Sequence, residues 1–323
     1  MNLITKKIFT IILLIFILAS CVSCITTELP NDDGKLNVVC TVFPQYDFVR
    51  QIAGDKINLT MLLKPGNEAH SYEPSPKDIA NIQNCDLFIM IGGKSEEWAN
   101  KIISSSDKGF TVLKLIDFVE PFEEEITEGM EHEHAHQSSY DEHIWTSPEN
   151  AITLSKEIAN MLSKLDEKNK ATYEENLKNY TNELKMLIDK FKNVKEAGKR
   201  DTIIIADRFP FRYLTERIGL KYYAAFPGCS SKTEPSASTV AFLIDKIRNE
   251  NIPTVICVDY SEGKIANSIK NETGAKILRM YSCHTITKNE FEKGETYLSL
   301  MKKNITALKE ALNWLCQLLN AKK

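Results

Sequence analysis

The stretch 36-LNVVCTVFPQYDFVRQIAG-54 sets the expected fold of this chain. Its first half is a mostly apolar run rich in β-branched residues, which is typical of a strand buried on both faces. Pro44 then opens an amphipathic helix that ends near Gly54, in keeping with the preference for proline at the start of helices and glycine at their ends. A buried strand followed directly by a helix predicts a parallel sheet covered by helices.

The alternation of strands and helices continues outward from this stretch in two blocks. The first block adds a helix around Ser75 to Ile82 and further strands at 59–63, 87–92 and 111–116. The second block has strands at 202–206, 221–226, 254–259 and 276–281. The pattern predicts an α/β protein with two similar lobes, each a parallel sheet flanked by helices.

A segment of different character separates the two blocks, because residues 149–197 contain neither glycine nor proline. Ser147 and Pro148 suit the cap and the first position of a helix. Apolar side chains recur at spacings of three and four residues at Tyr173, Leu177, Tyr180, Leu184, Leu187, Phe191 and Val194. We expect one long α-helix over 147–198 that bridges the lobes. The alternative is a helical hairpin with a break near Asp166 to Asn169.

The first 20 residues are typical of a bacterial lipoprotein signal peptide. Lys6 and Lys7 precede an apolar run over 8–18, which is too short to span a bilayer comfortably. Small residues lead directly into Cys21, the expected site of lipid attachment, and 21–35 then forms a flexible tether. The sequence predicts an extracytoplasmic protein anchored by lipid to the bacterial cell membrane. An ordinary cleaved signal peptide or an N-terminal anchor helix is the alternative.

This organisation gives an N-terminal lobe over 36–146 and a C-terminal lobe over 199–323. The formal net charge of −4 comes without any basic stripe, so nucleic acid is not an expected partner. Of the eight cysteines, Cys229 and Cys283 fall in loops. They could form a disulfide in an oxidising compartment or contact a metal.

Three of the six histidines follow three different strands. His70 comes after the strand at 59–63, His143 after that at 111–116, and His284 after that at 276–281. Ligands of α/β proteins bind where the carboxyl ends of strands meet. Imidazoles from several loops suit zinc, and nearby carboxylates would orient the rings. The candidates for that orienting role are Glu68, Glu73, Asp141 and Glu142.

Two segments, 65-PGNEAHSYEPSP-76 and 141-DEHIWTSP-148, together resemble the signature segments of the metal-receptor lipoproteins of ABC importers for zinc and manganese. The resemblance extends over nearly the whole mature chain and includes 96-EEW-98. It implies two α/β lobes bridged by one long helix, with the metal bound in the cleft by His70 and His143. It also implies a non-enzymatic monomer that delivers Zn²⁺, or less favourably Mn²⁺, to a membrane permease.

The third ligand position of that family falls on Arg208 in this sequence. Arginine cannot ligate a cation, because its guanidinium stays protonated. Asp207 could take the role, a water could fill the position, or Arg208 could pair with an acid. Asp207 could instead cap a helix. For the fourth position we take His284, with Cys283 and Cys229 as weaker candidates.

A His-rich stretch over 123–140 forms a separate feature. His132 and His136 match H-E-x-x-H around Glu133, but a zinc protease needs these residues on an ordered helix with a buried apolar face. This stretch is acidic and nearly devoid of apolar residues, so it predicts a mobile loop. We expect His132, His134 and His136 to capture metal weakly, the alternative being a merely solvated loop.

Four functions remain in competition on the sequence alone. A zinc receptor for import is favoured, because the expected ligands are mainly imidazoles. A receptor of the same fold for Mn²⁺ or Fe²⁺ would be expected to use more carboxylates. A zinc hydrolase would depend on the His-rich stretch. An adhesin or structural lipoprotein would use the metal only to stabilise its fold.

Overall fold

The structure of the protein is a computed structural model that describes residues 34–69, 71–106, 109–130, 140–229 and 235–313. Over these ranges, none of the helices is long and apolar enough to cross a membrane. The signal peptide, most of the tether, His70 and the three clustered histidines lie outside the described residues.

The N-terminal lobe is a four-stranded parallel sheet, as expected from its apolar strands. Its elements are β1 (Leu36–Cys40), α1 (Phe43–Ala53), β2 (Ile57–Met61), α2 (Pro76–Gln83), β3 (Leu87–Met90), α3 (Glu97–Ser105) and β4 (Thr111–Lys114). The strand order is β2-β1-β3-β4, and all neighbouring strands run parallel. Strand β3 is buried at every position, which explains why its sequence is apolar throughout rather than alternating.

Two helices connect the lobes, α4 (Pro148–Leu165) and α5 (Lys170–Glu196). Ser147 caps α4 by accepting a hydrogen bond from the backbone N–H of Asn150, as its sequence predicts. The 27 residues of α5 give a long helix of about 40 Å. Its predicted apolar stripe is confirmed, since five side chains of the stripe are buried: Tyr173, Tyr180, Leu184, Leu187 and Phe191.

The long helix is shorter than the expected 147–198, because the chain breaks at Asp166. A 3₁₀ turn over Glu167–Asn169 separates α4 from α5, and the two helices pack against each other as a hairpin. The carboxylate of Asp166 stabilises the break by accepting hydrogen bonds from Tyr173 Oη at 2.6 Å and from Asn169 Nδ2 at 2.7 Å. The hairpin alternative is therefore correct for 147–198, and the long bridging helix is α5 alone.

The C-terminal lobe repeats the architecture of the first. Its elements are β5 (Thr202–Phe209), α6 (Arg212–Ile218), β6 (Lys221–Pro227), α7 (Ala237–Asn249), β7 (Thr254–Val258), α8 (Lys264–Thr273), β8 (Lys276–Met280), α9 (Lys288–Glu292) and α10 (Tyr297–Asn313). The strand order β6-β5-β7-β8 is the same permutation as in the first sheet, and it is again parallel throughout. The prediction of two similar α/β lobes is confirmed.

Direct contacts join the two lobes. Asp47 of α1 is fully buried, and its Oδ2 accepts a hydrogen bond at 2.7 Å from the backbone N–H of Tyr297 at the start of α10. Arg50 donates to Asp47 Oδ1 at 2.6 Å and to the carbonyl oxygen of Glu295 at 2.8 Å. Near the cleft, the backbone N–H of Gly66 donates to the carbonyl oxygen of Ile286 at 2.7 Å. These bonds hold the two lobes together, one of them beside the cleft.

Candidate metal centre

His143 lies on the short segment that leads into α4, and its ring is held by Asp141. Asp141 Oδ1 lies 2.9 Å from His143 Nδ1 and also accepts a hydrogen bond at 2.8 Å from the His143 backbone N–H. Both residues are almost fully buried. A carboxylate on Nδ1 fixes the ring orientation and leaves Nε2 as the metal-binding atom. Asp141 is thus the one of the four candidate carboxylates that contacts His143 Nδ1.

Two opposing effects set the pKa of His143. Burial disfavours the charged imidazolium and lowers the pKa, whereas the charge and hydrogen bond of Asp141 raise it, with a further contribution from Cys229. The outcome is a pKa well above the ordinary value of 6.5. The same carboxylate charge that favours a proton on this imidazole also favours a bound cation.

His284 lies in the loop after β8 and is nearly buried. Its backbone N–H donates to Ser282 Oγ at 3.0 Å, and Ser282 in turn donates its N–H and its hydroxyl to the carboxylate of Asp259, at 2.6 and 2.5 Å. Burial raises the pKa of Asp259 to about 6. The rings of His284 and His143 are perpendicular, with their centroids 5.3 Å apart. The structure therefore brings together two predicted ligands that lie 141 positions apart in the sequence.

Trp145 packs against both imidazoles. Its ring centroid lies 5.4 Å from that of His143 and 4.9 Å from that of His284. Tyr297 donates its hydroxyl to the Trp145 carbonyl oxygen at 2.7 Å, and Tyr213 donates its hydroxyl to the Asp141 carbonyl oxygen at 2.7 Å. The segment that carries His143 is therefore fastened to the C-terminal lobe.

The two histidines line a cavity of about 290 Å³ in the cleft. Asp207, Arg208 and Asp259 contribute charged groups to its wall, and residues 66–69 contribute the side from the N-terminal lobe. His70 directly follows that wall segment but lies outside the described residues, so its role as a ligand stays a prediction.

Asp207 lies within β5 rather than in a loop after it, because the strand runs on to Phe209. Its Oδ2 accepts hydrogen bonds at 2.9 Å from the backbone N–H of Val258 and at 2.9 Å from Ser261 Oγ. Burial raises the pKa of its carboxyl. The helix-cap alternative for Asp207 is wrong, because α6 starts at Arg212 and its N-cap position is Phe211.

Arg208 is in register with Phe226 near the end of β5, and its side chain is 27% exposed at the cavity. Its Nη1 lies 3.7 Å from Glu68 Oε2 on the opposite lobe. This contact agrees with the expectation that Arg208 could pair with an acid.

Cys229 and Cys283 are both free thiols, so the structure does not contain the disulfide left open by the sequence. Cys283 is buried, whereas Cys229 lies beside the Asp141–His143 pair. Ligand atoms of Asp141, His143 and Cys229 all lie within 4.8 Å of one another. Gly228 permits this approach, since a Cβ there would come within 3.1 Å of Asp141 Oδ2 and 2.8 Å of a backbone oxygen. No sequence spacing links position 229 to position 143, so only the fold reveals this proximity.

Residues 123–130 differ from the predicted mobile loop, because they are held against the C-terminal lobe. Glu124 accepts a hydrogen bond at 2.6 Å from the Cys229 backbone N–H, Glu125 accepts one at 2.8 Å from Tyr222 Oη, and Glu128 lies 3.3 Å from Lys246 Nζ. Met130 is buried. Their acidic composition predicted a solvated loop, but these acids instead pair with groups that are distant in the sequence. His132, His134 and His136 lie outside the described residues.

The comparisons with known proteins agree with this fold. The family described as ZnuA, zinc-uptake complex component A periplasmic, matches residues 38–311. The chain is 34% identical over 311 residues to the high-affinity zinc uptake system protein ZnuA of Bacillus subtilis strain 168, an alignment that covers 94% of this chain and 97% of that relative.

A streptococcal relative is longer than this chain. The chain is 33% identical over 283 residues to the zinc-binding lipoprotein AdcA of Streptococcus pneumoniae serotype 4, covering 86% of this chain and only 56% of that protein. The crystal structure of the Zn(II)-bound ZnuA-like domain of the pneumococcal AdcA matches with a TM-score of 0.73 at 30% identity. This match covers 87% of this chain and all of that domain. The chain therefore corresponds to the ZnuA-like part of the streptococcal protein.

Proposed function

Because the chain belongs to the family of periplasmic zinc-uptake complex component A proteins, we propose that it is an extracytoplasmic receptor that captures Zn²⁺ between its lobes and delivers it to an ABC permease. The family consists of transport receptors, so the chain is a binding protein and not an enzyme. The observation that carries the proposal is the perpendicular pair of His143 and His284, 5.3 Å apart between ring centroids at the wall of the cleft cavity.

We assign metal ligation to Nε2 of His143 and to the imidazole of His284. Tetrahedral zinc takes four donors, with Zn–N distances of about 2.0–2.1 Å. His70, on the loop that continues the cavity wall, is the third proposed ligand. Asp207 or a small molecule completes the set, with Asp207 the weaker choice because its Oδ2 already accepts two hydrogen bonds.

The donor chemistry favours zinc over manganese. Imidazole nitrogen suits Zn²⁺, whereas Mn²⁺ is better matched by carboxylate and carbonyl oxygen. Asp259 is bonded through both of its oxygens to Ser282, so this carboxylate supports the loop of His284 rather than competing as a ligand.

The decisive experiment is a competition titration of the untagged protein with Zn²⁺ and Mn²⁺, using a chromophoric chelator, with elemental analysis of the purified protein. We expect one tight zinc per chain and much weaker manganese. The variants His143→Ala and His284→Ala should each lose at least about a hundredfold in zinc affinity while still unfolding in one cooperative transition. Unchanged affinity in both variants would remove the basis of the site.

We further propose that Cys21 carries the lipid anchor, that the receptor works as a monomer, and that an ABC permease is its partner. Support comes from the small residues before Cys21 and from the lipoprotein name of the streptococcal relative. Mass spectrometry of the mature N-terminus, compared with a Cys21→Ala variant, tests the anchor. A mature protein that starts without a modified Cys21 would contradict it, and light scattering tests the monomer.

His132, His134 and His136 are proposed to form a weak collector of metal outside the cleft. Because 123–130 packs against the C-terminal lobe, the matching test deletes only 131–139. Calorimetry should show that weak zinc equivalents disappear while the tight equivalent remains. Loss of the tight equivalent would instead make one of the three histidines a cleft ligand.

A further inference from the structure

Arg208 places a permanent positive charge in the wall of the cavity that His143 and His284 line. It reaches this wall from β5 and lies opposite Glu68, with 3.7 Å between Arg208 Nη1 and Glu68 Oε2. Glu68 therefore balances the charge of Arg208 across the cleft. A guanidinium repels a bare cation, and it presents planar donors suited to a carboxylate.

The carboxylates of the C-terminal wall are already engaged with protein donors. Asp207 Oδ2 accepts from Val258 and Ser261, and the two oxygens of Asp259 accept from Ser282. Within the described residues, the imidazoles of His143 and His284 are therefore the best placed donors for a metal. A zinc ion bound by imidazoles keeps its full double charge and takes a negatively charged ligand readily at an open position.

The cavity has room for more than an ion. Its volume of about 290 Å³ is several times the ~30 Å³ that one water occupies in the liquid. A two-carbon carboxylate or a bicarbonate fits beside the metal in such a space.

We propose that Arg208 holds a small monoanionic carboxylate, which bonds to zinc through one oxygen and completes the coordination begun by His143 and His284. This inference rests on the proposed zinc-receptor function and names the substrate more closely, as zinc together with an anionic co-ligand. Arg208 exchanges its ion pair with Glu68 for a bidentate pair with the anion. The nearby acids Glu68, Asp207 and Asp259 disfavour a doubly charged phosphate, so the monoanion is the chemical class that fits.

The test measures zinc affinity in buffer free of carbonate and carboxylates, and then with added acetate or added bicarbonate. We expect either anion to tighten zinc binding by about tenfold or more. Comparing the two additions shows whether the site accepts acetate, bicarbonate or both. Arg208→Gln should abolish this enhancement. Arg208→Lys keeps the positive charge but loses the planar set of N–H donors, so it should retain only part of the enhancement.

Arg212→Gln is the matched control. Arg212 lies on the same lobe and pairs with Glu125 at 3.1 Å and Glu216 at 3.0 Å, away from the cavity wall. This variant should keep the full enhancement. In a second readout, ¹³C-labelled acetate or bicarbonate should be retained at one equivalent per zinc by the parent protein and lost from Arg208→Gln.

The outcomes separate this inference from the proposed function. Tight zinc binding that is insensitive to both anions would overturn the inference and leave the receptor function intact. An enhancement that persists in Arg208→Gln would also overturn it. Absence of tight zinc binding in every buffer would overturn the inference and the proposed function together.

Discussion

Trp145 donates its indole N–H to the carbonyl oxygen of Ser282 at 2.7 Å. The donor lies two residues after His143 and the acceptor two residues before His284, so one hydrogen bond fixes the spacing of both imidazoles. Trp145 is fully buried and lies in a 3₁₀ turn of three residues. Ser282 lies in the loop after β8, so neither partner is held by a strand or a long helix. This bond therefore substitutes for a rigid scaffold at the proposed metal centre.

Trp145→Phe should weaken both the fold and the zinc site. An aromatic ring remains, although smaller, but the buried Ser282 carbonyl loses its hydrogen-bond donor, which costs about 1–3 kcal/mol of unfolding free energy. We expect a loss of about tenfold in zinc affinity, measured by chelator competition beside chemical denaturation. Tyr180→Phe is the control, because the buried Tyr180 hydroxyl has no hydrogen-bond partner among the described residues. It should leave affinity unchanged, and a normal affinity in Trp145→Phe would show that the bond does not position the ligands.

Asp141→Asn should reduce zinc affinity by about 10- to 100-fold, the usual effect of removing a carboxylate that orients a histidine ligand. The amide keeps the size of the side chain but removes the charge opposite His143 Nδ1. Asp201→Asn is a charge-matched control, since Asp201 is half-buried, pairs with Lys221 at 3.3 Å and does not line the cavity. Equal affinities for the two variants would contradict the orienting role.

Zinc affinity should fall as the pH drops, and the fall should begin above pH 6.5. Burial lowers the folded pKa of His143, but the charge and the hydrogen bond of Asp141, with a further contribution from Cys229, together outweigh it and raise the pKa. Ligation needs the Nε2 lone pair, so below that pKa each metal must displace a proton, at a cost of about tenfold per pH unit. In the metal-free protein the same raised pKa contributes stability below the unfolded pKa, which is lost as the pH rises through the folded pKa.

The pH experiment is a set of calorimetric titrations from pH 8 to pH 5, repeated with Asp141→Asn. In that variant the onset of the fall should move to lower pH, because the charge that raises the pKa is gone. An onset that stays fixed would assign the proton to another group.

Asp47→Ala should destabilise the whole protein by about 1–3 kcal/mol, the usual cost of leaving a buried hydrogen-bonding group without its partner. It leaves Arg50 without its 2.6 Å partner and the Tyr297 N–H without its acceptor. Glu292→Ala removes the exposed, 3.9 Å pair with Lys288 and should change stability by less than about 1 kcal/mol. Urea denaturation of the metal-free proteins measures both, and similar midpoints would contradict a bracing role for Asp47.

Strands were the most predictable part of this fold. Central strands such as β3 and β7 are buried at every position, so they are short apolar runs that differ sharply from the amphipathic helices between the strands. The eight predicted strands all occur, with ends that shift by a few residues, as in β5, which extends to Phe209. That extension moved Asp207 out of the expected loop.

The break at Asp166 was harder to predict, because the sequence around it has no glycine or proline. It depends on Tyr173, seven residues later, whose hydroxyl donates to the Asp166 carboxylate. An aspartate that competes for hydrogen bonds is a weak local signal. The periodic stripe in α5 gave no information about where the helix begins.

At the site, strand ends identified His143 and His284, because the carboxyl edge of a parallel sheet is fixed by topology. The position of Cys229 relative to His143 depends on how the loop after β6 folds back, which no periodicity encodes. The resemblance to known receptors placed the third ligand position of the family at Arg208. It did not indicate what an arginine does at that position.

The backbone hydrogen bond between Gly66 and Ile286 bears on how long an ion stays in the cleft rather than on how tightly it binds. It connects the edge of one lobe to the other, and the buried Asp47–Tyr297 hydrogen bond is a second connection between them. Release of an ion by separation of the lobes would have to break both bonds together, so that route depends on a rare opening event. Differences in binding strength within one kind of site arise mostly from the rate of departure. A membrane partner that separates the lobes at this edge would therefore accelerate release of the ion.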